Sequence, residues 1–170
     1  MRVIFLDCDG VLNSHQFFQS AEQRQDAAEG GLSFGEAQLD PAALALLDRI
    51  VEQTGATIVI SSSWRHIWKW QDIAQMFKKR GMENWDFVID QTPGSQNDNR
   101  GDEVQDWLDT RWGRERQVVD DHYEPITSFV IIDDTDEFST TQRQNFVKTN
   151  PQVGLTQADA QRAIQILKRG

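Results

Sequence analysis

Cysteine is almost absent from this sequence: Cys8 is the only one among 170 residues, so an internal disulfide is excluded. Cys8 stands between two acidic residues directly after an apolar run, where burial would indicate packing rather than redox chemistry. No apolar run is long enough to span a bilayer, and residues 3–6 are too short for a signal peptide. We therefore expect a cytoplasmic protein with no membrane partner.

Basic residues are scarce as well. The chain has 17 lysines and arginines against 27 aspartates and glutamates, which gives a net charge of −10. This charge argues against strong nonspecific binding of nucleic acid or anionic membrane, because both are negative. A small local phosphate site is still compatible with it. The length predicts a single domain over residues 1–170 with a substantial core.

Two carboxylates follow the first apolar run. Residues 3–6 predict a strand covered on both faces, and Asp7 and Asp9 come where the chain leaves its carboxyl end. Open α/β folds hold ligands at that edge. Two like charges there repel unless a cation or a proton lies between them, so the spacing indicates Mg²⁺ or a shared proton. Gly10 allows a sharp turn after the second acid.

A second apolar run, residues 56–60, ends in small hydroxyl residues. Phosphate oxygens need close hydrogen-bond donors, and the Ser61 hydroxyl with the amides of a strand-to-helix turn supplies them. Ser62 would assist through its backbone or side chain. The alternative is that these serines only cap the next helix.

A third run, residues 128–132, ends in the acidic pair Asp133 and Asp134. Mg²⁺ prefers oxygen ligands in octahedral geometry and keeps several waters. Asp133 is expected to bind the ion directly, and Asp134 either directly or through water.

Together these segments resemble the motifs of the haloacid dehalogenase (HAD) superfamily, whose members mostly hydrolyse phosphomonoesters through an aspartyl-phosphate. Residues 7–11 resemble its nucleophile motif, Ser61 its second motif, and residues 133–134 its acidic fourth motif. The combination of residues 7–13 with residues 62–65 is similar to the small HAD domains of nucleic-acid end-repair proteins. That likeness implies removal of terminal phosphates.

The third HAD motif matches less well. The family places a lysine near the start of a helix, where it neutralises charge shared by nucleophile and phosphate, whereas this chain offers Arg100. Arginine can clamp phosphate through two donors, but its planar fork is larger than an ammonium group. Lys69, Lys78 and Lys79 stay open as substitutes.

The resemblance implies a role for each of these residues. Asp7 would be the nucleophile, Asp9 the general acid and base, and Arg100 the catalytic cation. Ser61, Ser62 and Arg100 would bind the substrate phosphate. Mg²⁺ would be held by Asp7, by Asp133 and Asp134, and by the backbone carbonyl of Asp9.

Strand and helix patterns alternate along the chain, which predicts an α/β fold: a three-layer, Rossmann-like parallel sheet of about five strands with helices on both faces. The expected strands are 3–6, 56–60, 86–90, 130–133 and 145–148, and the expected helices are 42–51, 64–80, 101–112 and 156–168. A segment at about 14–39 interrupts this order and resembles the cap insertion of HAD enzymes. It predicts a short flap over an open site, with Phe17, Phe18 and Phe34 either lining the entrance or pinning the flap.

Aromatic residues follow the serine run. Trp64 and Trp68 are one helical turn apart, so one interpretation is that they stack a nucleobase, with Arg65 adding charge; core packing is the other. Residues 120–122 have metal-compatible side chains but are interpreted as a solvated loop.

The function expected from the resemblance is an Mg²⁺-dependent phosphomonoester hydrolase. Its substrates would be nucleotides or phosphorylated nucleic-acid ends. A small-molecule phosphatase, a phosphotransferase and a catalytically weak phosphate-end-binding repair module are the alternatives.

Overall fold

A five-stranded, wholly parallel sheet organises the chain in the computed structural model, which describes residues 1–20, 23–24, 31–95, 99–111 and 125–169. The strands are β1 (Arg2–Leu6), β2 (Thr57–Ile60), β3 (Val88–Gln91), β4 (Ser128–Asp133) and β5 (Phe146–Lys148). Their order across the sheet is β3-β2-β1-β4-β5. The predicted parallel sheet of about five strands is therefore confirmed.

Helices lie on both faces of this sheet. Those described are α1 (His15–Phe18), α2 (Phe34–Ala37), α3 (Pro41–Thr54), α4 (Trp70–Lys79), α5 (Arg100–Asp106) and α6 (Gln157–Leu167). Short 3₁₀ turns occupy Ser63–His66, Trp85–Phe87 and Arg143–Asn145, and a π-helical turn, Trp107–Arg111, follows α5. Within the described residues no helix is both long and apolar enough to cross a bilayer.

The central strand β1 is buried on both sides. Ile4 and Leu6 point into one core, which α3, α4 and α6 cover, while Val3 and Phe5 point into a second core that contains Trp107. Successive side chains of a strand alternate between its faces, so a continuous apolar run is needed where both faces are covered. The predicted three layers follow from this double burial.

The strand order places the candidate site. From β1 the chain passes to β2 and β3 on one side, and β4 and β5 lie on the other, so the order reverses between β1 and β4. Leu6 pairs with Ile132, and the Asp7 amide donates to the Ile132 carbonyl at 3.0 Å. Asp7 and Asp133 therefore leave neighbouring strands side by side at the switch point, where such folds bind ligands.

One predicted helix is divided in two. Residues 64–80 form the 3₁₀ turn Ser63–His66 and then α4, which begins only at Trp70. Lys69 between them is extended, with φ −72° and ψ 154°, and the Asp72 carboxylate accepts its amide at 3.3 Å. This side-chain cap starts a new helix where the apolar pattern predicted a continuous one.

Two other boundaries differ from the predicted ones. The predicted strand 86–90 begins at Val88, because Trp85–Phe87 forms a 3₁₀ turn. The helix predicted at 101–112 begins at Arg100, and its α-helical part ends at Asp106 before the π turn. The last helix starts as predicted, with Thr156 and Asp159 capping each other's backbone amides.

The segment after β1 carries α1 and α2. Glu36 of α2 pairs with Lys79 of α4 at 2.7 Å, so this part of the segment is tied to the body. Phe17 is buried, whereas 39% of Phe18 and 77% of Phe34 are exposed. Phe17 therefore packs inward, and the other two rings stay at the surface.

Leu47→Ala should test the core beneath the sheet. Leu47 of α3 is fully buried, so truncation removes apolar contacts and leaves a cavity, and we expect a loss of about 2–5 kcal/mol in the free energy of unfolding. Urea denaturation followed by circular dichroism measures it. Glu52→Ala on the exposed face of the same helix is the control, with a change within about 0.5 kcal/mol. Equal losses for both variants would contradict the assigned helix faces.

Candidate active site

Three carboxylates meet at the carboxyl edge of the sheet. Asp7, Asp133 and Asp134 each offer an oxygen, and these oxygens all lie within 4.8 Å of one another. Asp7 is 4% exposed and Asp133 1% exposed, while Asp134 is half-buried. The structure thus brings together three of the predicted metal ligands and concentrates negative charge away from water.

The protonation of this cluster reflects its burial. Burial, reinforced by the nearby charge of Asp133, raises the pKa of Asp7 from 3.8 to about 7. Arg100, the Ser62 hydroxyl and the Cys8 amide, which donates to Asp7 Oδ1 at 2.8 Å, act in the opposite direction. Burial also raises the pKa of Asp133. Arg100 and the hydrogen-bond donors therefore offset only part of the rise in pKa that burial causes.

The Asp133 carboxylate shows that the cluster fits a cation. Its Oδ1 accepts the amide and the hydroxyl of Thr135, both at 2.8 Å. Its Oδ2 is buried and has no hydrogen-bond partner in the described part of the chain. A buried carboxylate oxygen normally has a partner, and an all-oxygen donor set suits Mg²⁺.

Arg100 lies at the start of α5, whose amino end Asn99 caps by accepting the Asp102 amide at 3.0 Å. Its Nη1 is 3.7 Å from Asp7 Oδ1, and its Nε is 3.8 Å from Asp133 Oδ2. The same Nη1 donates to the Ser61 carbonyl. One guanidinium thus contacts two carboxylates and the serine turn.

Two of the three alternative lysines make other contacts. Lys79 pairs with Glu36, and the Lys78 ammonium lies 4.4 Å from the centre of the Trp85 ring. Lys69 is exposed at the start of α4. Among the described residues, Arg100 is the cation that contacts the carboxylates.

The two serines differ in what they contact. The Ser61 amide donates to the Leu6 carbonyl at 2.8 Å, while its hydroxyl is buried and has no partner among the residues described. The Ser62 hydroxyl accepts the Trp64 amide at 3.3 Å and so caps the 3₁₀ turn, and it also hydrogen-bonds the Asp7 carboxylate. Ser61 therefore keeps a hydroxyl available to a ligand.

Asp9 is exposed, and its side chain is not part of the three-carboxylate cluster. Its Oδ1 accepts the Asn13 side-chain amide at 2.8 Å, and its Oδ2 accepts the Trp64 indole N–H at 3.1 Å. Gly10 has φ +70°, and a Cβ there would lie 2.6 Å from Asp134 Cγ. The turn after Asp9 therefore requires glycine both for its conformation and for the approach of Asp134.

The aromatic and basic residues after the serines are largely internal. Trp64 is 4% exposed and packs on Trp68 with ring centres 5.1 Å apart, so its faces contact protein as the core-packing alternative describes. Arg65 forms a buried ion pair with Glu103 at 2.6 Å and donates to the Ser62 carbonyl at 3.0 Å. Of the two tryptophans, Trp68 is the one with a partly exposed ring on which a nucleobase could stack. The charge of Arg65 is already matched by Glu103.

Sequence reasoning missed two residues that support the site. Asn13 contacts Asp9 and also accepts the Gly10 amide at 2.9 Å, and its position four residues after Asp9 was the available signal. Glu103 lies on the same helix as Arg100, but its pairing with Arg65 joins segments that sequence spacing does not relate. Residues 120–122 lie outside the described part of the chain.

Comparison with known proteins gave one family. No curated protein and no solved structure matched the chain. Residues 3–160 match the profile of the family described as the HAD domain in Swiss Army Knife RNA repair proteins. This match spans all the motifs at the sheet edge, from Asp7 to Asp134. The chain therefore belongs to the HAD superfamily, within the family of HAD domains of Swiss Army Knife RNA repair proteins.

Proposed function

We propose that this HAD domain is an Mg²⁺-dependent phosphomonoester hydrolase that acts through an aspartyl-phosphate on nucleotides or phosphorylated nucleic-acid ends. The observation that carries the proposal is the buried carboxylate pair Asp7 and Asp133, which Arg100 contacts, beside a Ser61 hydroxyl that has no partner within the described ranges. A nucleophile, a cation and a hydrogen-bond donor are the groups that phosphoryl transfer requires.

The chemistry proceeds in two displacements. An Asp7 carboxylate oxygen attacks phosphorus, the bond to the ester oxygen breaks, and Asp9 gives that oxygen a proton. Asp9 then takes a proton from water as the water oxygen attacks the phosphorus of the aspartyl-phosphate. Inorganic phosphate leaves, and both aspartates return to their starting forms.

The residues around Asp7 bind the transferring group. Arg100 and the Ser61 hydroxyl balance charge on its equatorial oxygens, and backbone amides of the serine turn add donors. Asp7, Asp133 and Asp134 would hold Mg²⁺ together with the Asp9 carbonyl. The ion would supply further positive charge to the phosphoryl oxygens.

The Trp68 ring packs on Trp64, which contacts Asp9, and so favours a nucleoside over a sugar as the group that carries the phosphate. The backbone of α2 lies against Trp68, since a Cβ on Gly35 would be 3.3 Å from Trp68 Cζ2. The neighbours of these two residues, Phe34 and Ile67, are 77% and 71% exposed. A nucleobase can stack on the exposed part of Trp68, and the family's link to RNA repair agrees with such a substrate.

Asp7→Asn should abolish phosphate release, because the amide keeps the shape of the side chain but lacks the nucleophilic charge. Asp9→Asn should lower kcat by on the order of 10²- to 10⁴-fold, the usual contribution of a positioned acid or base. Steady-state assays of purified protein measure both, with circular dichroism to verify folding. The exposed Asp136, paired with Arg143 at 3.2 Å, gives the control Asp136→Asn. Near-normal release by Asp7→Asn would rule out the aspartyl-phosphate.

Asp133→Ala should weaken Mg²⁺ binding, whereas Asp136→Ala should not, because only Asp133 belongs to the carboxylate cluster. Activity should disappear with chelator and fall in Ca²⁺, whose coordination is larger and less regular. The direct measurement is the rise in Tm caused by Mg²⁺ in each variant. Equal rises in wild type and Asp133→Ala would contradict the ligand assignment.

The Mg²⁺-induced rise in Tm should also depend on pH. The pKa of Asp7 in the folded protein, about 7, lies above its ordinary value of 3.8, so the folded state binds the extra proton. Without metal, this residue's contribution to stability is therefore lost as pH rises from about 4 to about 7. Protons compete with the cation, so the rise should be larger at about pH 8 than at about pH 5.5.

Nucleotides or phosphorylated oligonucleotide ends should be hydrolysed with higher kcat/KM than sugar phosphates, and Trp68→Ala should reduce that preference. Trp85→Ala is the matched control. Trp85 is also half-buried, but it precedes the amino end of β3, whereas Asp7 and the serines lie at the carboxyl ends of their strands. The net charge of −10 means that affinity should barely rise with oligonucleotide length. Unchanged nucleotide kinetics in Trp68→Ala, with sugar phosphates preferred, would leave a general small-molecule phosphatase.

A further inference from the structure

The side chain of Asp9 is held at both oxygens although it is exposed. Asn13 donates to Oδ1 at 2.8 Å and Trp64 donates to Oδ2 at 3.1 Å. Exposed aspartates usually exchange among rotamers on a fast timescale. Two donors from different segments select one orientation of this carboxylate.

The Trp64 donor is itself fixed by the core. Its ring is 4% exposed and packs on Trp68, and its backbone amide donates to the Ser62 hydroxyl at 3.3 Å. The amides of Ile67 and Trp68 both donate to its carbonyl at 2.9 Å. The direction of the indole N–H is therefore set by packing and by the turn that carries the serines.

We propose that Trp64 is a positioning residue that orients Asp9 for proton transfer to the leaving oxygen. This inference rests on the proposed function, since it assumes that Asp9 is the general acid. The indole N–H donates only, so it cannot remove the proton that Asp9 delivers. A carboxyl oxygen has two lone pairs, and the indole occupies one on Oδ2, which leaves the other for the proton.

The segment from Ser61 to Trp64 therefore contributes both to phosphate binding and to the orientation of the general acid. Ser62 caps the 3₁₀ turn and hydrogen-bonds Asp7 through its side chain, and Trp64 in the turn donates to Asp9. The distance and orientation between the bound phosphate and the Asp9 carboxyl are thus set by four consecutive residues. Positioning at this level is worth large factors in rate, because misplacement of about 1 Å can cost roughly 10²-fold.

Trp64→Phe tests the inference, since it keeps a buried ring against Trp68 and removes the N–H. The readout is kcat/KM for two substrates: a nucleoside monophosphate, whose alkoxide leaving group needs a proton, and 4-nitrophenyl phosphate, whose phenolate does not. We expect a roughly tenfold loss for the first and about threefold or less for the second. The loss stays below the 10²- to 10⁴-fold of a missing acid because Asn13 still holds Oδ1. The inhibition constant of inorganic phosphate should not change.

Trp107→Phe is the matched control. Trp107 is also a buried tryptophan whose indole N–H donates to an aspartate, Asp90, at 2.9 Å. Asp90 is on β3, two strands away from β1. Its register partner on β2 is Val59, which pairs with Phe5 of β1, so Asp90 lies at the level of Phe5 and not at the carboxyl edge that carries Asp7. Trp107→Phe should leave the ratio of kcat/KM between the two substrates at the wild-type value.

The outcomes separate the inference from the proposed function. Equal losses for both substrates would show that the role of Trp64 is merely structural. No loss would show that Asp9 does not need the indole donor. Either result would overturn this inference and leave the proposed function standing. A wild-type protein that releases phosphate from neither substrate nor from a phosphorylated oligonucleotide end would overturn the proposed function and this inference with it. If Trp64→Phe does not fold, 3-benzothienylalanine at position 64 removes the N–H while preserving the ring shape, and the same ratio decides.

Discussion

The repulsion between two buried carboxylates is the constraint on which this site depends. Asp7 follows β1 and Asp133 ends the adjacent β4; burial and the charge of Asp133 raise the pKa of Asp7, and burial raises the pKa of Asp133. Arg100 is near enough to attract both but reaches neither at hydrogen-bond distance. The folded chain therefore holds negative charge that a divalent cation at the same edge would neutralise.

The parallel sheet imposes that repulsion. In a parallel sheet the carboxyl ends of neighbouring strands meet at one edge, so polar residues distant in sequence converge there. The apolar runs that precede them fix the register, because slipping β1 by one residue would exchange its two buried faces. Core packing thus determines the spacing of the carboxylates, and the fold and the chemistry share one origin.

This convergence explains how much the sequence predicts. The strands, their parallel arrangement and the meeting of Asp7, Asp133 and Ser61 follow from local patterns and from the rules of α/β topology. The break at Lys69, the indole contact to Asp9 and the Arg65–Glu103 pair do not, since each depends on a side-chain hydrogen bond or on contacts between distant segments. Trp64 shows the difference: its spacing allowed either stacking or core packing, and the structure packs its ring inward while its N–H donates to Asp9, a contact that the spacing does not indicate.

The buried pair of Arg65 and Glu103 has a consequence for how the phosphate-binding groups are held. Glu103 is on α5, three residues after Arg100, while Arg65 follows the serines and also donates to the Ser62 carbonyl. The Arg65–Glu103 ion pair therefore joins α5, which carries Arg100, to the turn that follows Ser61 and Ser62. A ligand meets donors whose separation is already fixed, so little ordering entropy is lost on binding. Loss of either partner alone would leave a buried charge uncompensated, so the distance between helix and turn depends on both residues.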